Sequence, residues 1–121
     1  MSERLTKNFT RKELTCKCGC GYCDYDKEFL TKLQLLRDRF GYAMIVNSGC
    51  RCEAHNRDRD GKDNSDHIHC RAVDISTAGN RFILLKLAIE VGFDRIGVHH
   101  SFLHLGMSNE KTNAKDSLWC Y

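Results

Sequence analysis

The sequence contains no proline, which removes the usual mark of an interdomain linker. No apolar run is long enough to span a bilayer. Residues 1–15 alternate polar, charged and apolar types where a secretory leader would need a continuous apolar stretch. The expectation is a protein made in the cytoplasm that meets any outside substrate after release or delivery by another factor. There is no internal repeat, no low-complexity tract and no block of like charge. The net charge of +3 is dispersed, as in Arg57-Asp58-Arg59-Asp60, which argues against nucleic acid as a partner.

What is present fits a compact α+β unit. With 41% hydrophobic and 29% charged residues, a 121-residue chain suits one core, so residues 1–121 are expected to form one domain. Residues 1–25 read as an N-terminal arm with a cysteine-rich segment. Thr10 and Glu13 have capping-box spacing, predicting a helical turn from Arg11. Phe29, Leu30, Leu33, Leu36 and Phe40 recur at helical steps between Asp26 and Gly41, predicting a helix over 27–40. Ala43–Val46 reads as a short buried strand before the loop Asn47-Ser48-Gly49, and Glu53–Lys62 as loop. A strand over 71–76 would place Val73 and Ile75 on one side and Ala72, Asp74 and Ser76 on the other. A second helix is predicted over 80–91, with Phe82, Leu84, Leu85, Leu87, Ala88 and Val91 inward. Strands over 95–99 and 102–107 follow, giving a small, mainly antiparallel sheet with flanking helices.

Two segments carry chemistry. His67 on a polar loop precedes Asp74 on a strand, and His104 lies mid-strand among apolar neighbours, where a lone imidazole needs a partner. Two histidines, a carboxylate and a water make the open four-coordinate arrangement of a hydrolytic zinc site. From spacing alone, a hydrogen-bonded core histidine and a strand-end aspartate would serve equally.

Three motifs extend this reading. They are Ser48-Gly49-Cys50-Arg51-Cys52-Glu53-Ala54-His55-Asn56, Asn64-Ser65-Asp66-His67 through Arg71-Ala72-Val73-Asp74-Ile75, and Ile96-Gly97 through Phe102-Leu103-His104-Leu105. In this order they resemble the motifs of the zinc D-alanyl-D-alanine carboxypeptidases and phage endolysin peptidases, whose fold is shared with Hedgehog signalling domains. The similarity runs from about Asn8 to Trp119-Cys120-Tyr121. The resemblance implies a zinc ion held by His67, Asp74 and His104, with Arg51 pairing with a substrate carboxylate and Ser65 hydrogen-bonding substrate beside the metal. It also implies hydrolysis of a peptidoglycan peptide; a monomer without membrane insertion is the expectation for the chain.

The resemblance breaks at one point. Many relatives carry an acid three positions before the last histidine or two after it, where this chain has Ser101 and Gly106. His99 and His100 are the nearest titratable substitutes for a catalytic role, with Asp66 a third. An inactive zinc domain that binds wall peptide or serves in a virion is the alternative. Cys16, Cys18, Cys20 and Cys23 form a candidate site for a second, structural zinc, with reduced thiols or oxidised pairs as the other readings. Cys50 and Cys52 are candidates to join them.

Overall fold

The computed structural model describes residues 3–58, 65–77, 79–108 and 115–121. Helix α1 (Arg11–Leu14) opens on the expected capping box: the Thr10 hydroxyl accepts the Glu13 N–H, and the Glu13 carboxylate accepts the Thr10 N–H. Helix α2 (Lys27–Phe40) starts where the Asp26 carboxylate accepts the Phe29 N–H at 2.8 Å. It ends at Gly41, whose φ of 80° is left-handed and favours glycine. Phe29, Leu33 and Leu36 are fully buried, each contributing about 1.5–3 kcal/mol of apolar burial. Helix α4 (Arg81–Val91) packs against α2 and buries Leu84, Ala88 and Val91.

Strands β1 (Val46–Ser48), β2 (Ala72–Ser76), β3 (Arg95–Val98), β4 (Phe102–Gly106) and β5 (Ser117–Cys120) form one sheet in the order β1-β2-β4-β3-β5. Only the β3–β5 pairing is parallel, so the sheet is mixed and mainly antiparallel. Val73, Ile75, Ile96, Leu103 and Leu105 join the helices in the hydrophobic core. The register puts Asp74 opposite His104, His104 opposite Gly97 and Gly97 opposite Trp119, with Ser48 beside Asp74 on the outer strand. One row, Ser48, Asp74, His104, Gly97 and Trp119, therefore crosses all five strands.

Three expectations need correction, and one strand was not anticipated. The strand predicted over 43–46 starts only at Val46, and Ile45 is 67% exposed although its carbonyl accepts the Ser76 N–H from β2. Glu53–Asp58 is a helix, α3, held by polar contacts instead of an apolar stripe: Asn56 is buried and its N–H donates to Cys52 O. The rest of that stretch, 59–62, lies outside the described residues, as does Asn64 of the second motif. Phe82 points outward at 77% exposure, so α4 buries a narrower face than predicted. Strand β5 went unread because, apart from Trp119, it is an exposed edge with no buried alternation.

Candidate metal centre

The three predicted ligands come from two kinds of backbone. Asp74 and His104 are cross-strand partners on β2 and β4, so the sheet register alone sets their spacing. His67 arrives from the turn before β2. There Ser65 Oγ accepts the His67 N–H, Ser65 O accepts the Ile68 N–H, and His67 O accepts the Arg51 and Cys70 N–H groups. Cys70 closes that turn at φ 51°, the left-handed conformation that favours glycine.

All three side chains are buried, and each offers an atom within 4.8 Å of the others. Their second polar atoms fix what points inward. His67 Nδ1 faces the carbonyl of Gly49 at 2.7 Å and can only donate to it, so Nε2 carries the lone pair. That Nε2 lies 3.2 Å from Asp74 Oδ1 without hydrogen-bond alignment, which leaves it buried and unpartnered. His104 Nε2 donates to Asp66 Oδ2 at 3.2 Å, turning Nδ1 toward Asp74 Oδ1 at 3.1 Å. Two imidazole nitrogens thus converge on one carboxylate oxygen. Such a donor set fits a divalent cation with nitrogen and oxygen ligands, each histidine oriented by an outer acceptor.

The electrostatics agree. Burial pulls His67 below its ordinary value and outweighs Asp74. Burial also opposes charge on His104, but the hydrogen bonds to Asp66 and Asp74 overcome it and raise the imidazole. Burial would raise Asp74, yet the two histidines hold it well below the usual carboxylate range. Neutral His67 and ionised Asp74 are thereby favoured, the forms in which both groups can ligate a cation.

Asp66, ranked third among the catalytic candidates in sequence, stands in direct contact with the centre. It is 8% exposed, with Oδ2 also accepting Arg95 Nε at 2.8 Å. A Cβ on Gly106 would lie 3.1 Å from that Oδ2 and 3.3 Å from His104 Nε2. The volume that an acid two residues after His104 would enter is therefore filled by the Asp66 carboxylate.

Arg51 lies beside the centre, 14% exposed. Its Nε donates to Ser48 Oγ at 3.1 Å, Nη1 to Asn56 Oδ1 at 3.3 Å, and Nη2 reaches Asp74 Oδ2 at 3.5 Å. Ser65, the other residue assigned to substrate, is engaged in the His67 turn. His99 and His100 sit in the turn between β3 and β4, where His99 stacks on Phe102 with centroids 4.5 Å apart and pairs with Ser101. Among the described residues no hydrogen bond or ring contact joins either histidine to His67, Asp74 or His104.

Sequence reasoning missed the contribution of β5. Trp119 lies over Gly97, where a Cβ would come within 2.5 Å of its Nε1, and its ring is 5.2 Å from His104. Tyr121 follows, 5.6 Å from His99. Its phenol is raised by burial first, then by the charges of Asp74 and Asp66. The closing Trp-Cys-Tyr run was the available signal.

The cysteines sort differently from the sequence expectation. Cys50 and Cys70 form a disulfide. Cys23 is half-buried against the hydrophobic core, and the residue that joins Cys16, Cys18 and Cys20 is Cys52. The Tyr22 hydroxyl donates to Ile68 O and the Asp24 N–H to Cys70 Sγ, which carries the chain past Cys23 toward the core and away from the other three.

A sequence model of the family described as Peptidase M15 matches residues 7–106. No curated protein matches the chain.

Proposed function

The chain belongs to the peptidase M15 family of metallopeptidases, and we propose that it is a zinc peptidase that hydrolyses an amide in the stem or crosslink peptides of peptidoglycan. The observation that carries this reading is the buried convergence of His67 Nε2, His104 Nδ1 and Asp74 Oδ1, with the other nitrogen of each imidazole tied to an acceptor. Those three residues would hold the ion. Zinc there would lower the pKa of a bound water to about 7 and polarise the scissile carbonyl.

The remaining roles fall to the chain's own side chains. Asp66 holds the proton on His104 Nε2 and is itself held by Arg95. Arg51, steadied by Ser48 and Asn56, offers a planar guanidinium suited to a substrate carboxylate. Ser65 is proposed to hydrogen-bond substrate from the turn that carries His67. His99, backed by Phe102, His100 and Tyr121, is proposed to carry the transferred proton.

Ser101 and Gly106, in place of the acid found in many relatives, favour the second reading of a zinc domain that binds wall peptide without cutting it. Incubating the zinc-loaded protein with peptidoglycan and labelling new amino termini separates the two. New termini that vanish with His67→Ala support hydrolysis. Zinc-dependent peptide binding without new termini supports the second reading, and neither cleavage nor binding overturns both.

A further inference from the structure

A cluster of four sulfurs stands apart from the His67–Asp74–His104 centre. Cys16, Cys18 and Cys20 come from the run after α1 and Cys52 from the loop entering α3, and their Sγ atoms all lie within 4.8 Å of one another. Cys16 and Cys18 are 3.4 Å apart, Cys16 and Cys52 3.8 Å, and Cys18 and Cys52 3.7 Å. These separations are too long for bonded sulfurs. Four thiolates about 2.3 Å from one zinc ion at tetrahedral angles stand about 3.8 Å from each other, close to the 3.4–3.8 Å seen among Cys16, Cys18 and Cys52, with Cys20 within 4.8 Å of each. We propose that Cys16, Cys18, Cys20 and Cys52 form a structural zinc site of the tetrathiolate class.

The backbone around the sulfurs suits anions. The Cys52 N–H donates to Cys16 Sγ and the His55 N–H to Cys52 Sγ, both at 3.4 Å. Gly19 and Gly21 adopt φ values of 91° and 84°, which side-chain-bearing residues rarely reach, and they fold three nearby cysteines onto one point. Cys16 N donates to Tyr22 O at 2.9 Å, closing the loop that presents them. Soft thiolates in this arrangement select zinc over magnesium or calcium.

The consequence is mechanical. Cys52 follows Arg51, and Cys50, bonded to Cys70, precedes it. The site would clamp the N-terminal run to the loop that carries Arg51, so that this residue stands between two cross-links 36 and 20 residues in span.

This inference is independent of peptidase activity and is tested by metal content. The purified protein should carry about two equivalents of zinc per chain, falling to about one in Cys52→Ser and to about one in His67→Ala. Cys23→Ala should keep both. Cobalt substitution of the wild type should give intense sulfur-to-metal charge-transfer bands that persist in His67→Ala and disappear in Cys52→Ser. The wild-type cobalt spectrum and zinc count decide the matter even if Cys52→Ser fails to fold. A wild type without charge-transfer bands, with its six cysteines outside the disulfide titrating freely in the presence of zinc, would overturn the proposal. So would mass spectrometry finding a disulfide within the four.

Discussion

A histidine ligates through one nitrogen, and what the other nitrogen touches decides which. His67 spends Nδ1 on the Gly49 carbonyl and His104 spends Nε2 on Asp66, so the pair presents opposite ring nitrogens to Asp74. Asp66 would act on a bound ion through His104, which would make it a positioning residue. Asp66→Ala should weaken zinc binding roughly 10–100-fold in a competitive chelator titration, with Asp66→Asn losing less because its amide oxygen can still accept the Nε2 proton. His99→Ala should behave in the opposite sense, leaving zinc affinity unchanged while lowering kcat by roughly 10²–10⁴ on a peptidoglycan peptide. If His99→Ala releases zinc, or cleaves as fast as wild type, its assignment to proton transfer fails.

At the scale of elements, the site depends on close approach of backbone to backbone. Gly49 lies against α1, where an added Cβ would meet the Leu14 carbonyl oxygen at 2.5 Å and its carbon at 2.9 Å, and Cys50 N donates to that same oxygen. No rotamer change relieves a clash with main chain. Gly49→Ala should therefore cost about 3 kcal/mol, the upper end for overpacking, and should also weaken zinc binding because the Gly49 carbonyl orients His67. Denaturant unfolding and chelator competition measure the two effects separately. Such tertiary approaches mark the limit of what the sequence discloses. The helix over 27–40 was legible because its Asp26 cap and apolar period agree, the helix over 80–91 from its apolar content and the Gly92 stop, and the 71–76 strand because Val73 and Ile75 alternate with Asp74. The meeting of Asp74 and His104 was legible only through motif order, since register is a long-range property. That Cys52 could join the cysteine run was legible from its place beside Arg51, but that it would do so in place of Cys23, and that Asp66 would fill the space beside Gly106, leaves no local trace, because each depends on how distant turns pack. Helix α3 and strand β5 escaped for a related reason: polar contacts and an exposed edge carry no hydrophobic period.

At the scale of the molecule, the two faces of the sheet are stabilised by different forces. One is covered by α2 and α4 over a continuous apolar core. The other buries Asp66, His67, Asp74 and His104, whose desolvation opposes folding unless charge is balanced there. The disulfide between Cys50 and Cys70 spans 20 residues and by loop entropy contributes about 3 kcal/mol to holding that polar face closed. A cation that binds only the folded chain adds to this by mass action, about 2.7 kcal/mol when free zinc is a hundred times the dissociation constant. For a chain of 121 residues this corresponds to a rise in Tm of roughly 10 °C for each site filled. Thermal unfolding of the wild type should show that gain on zinc addition and its loss with chelator. His67→Ala should keep only the part contributed by the cysteine cluster, and His67→Ala combined with Cys52→Ser should keep none. A double variant still stabilised by zinc would place the ion elsewhere, and a wild type indifferent to zinc would mean that the polar face balances its charge by protons alone.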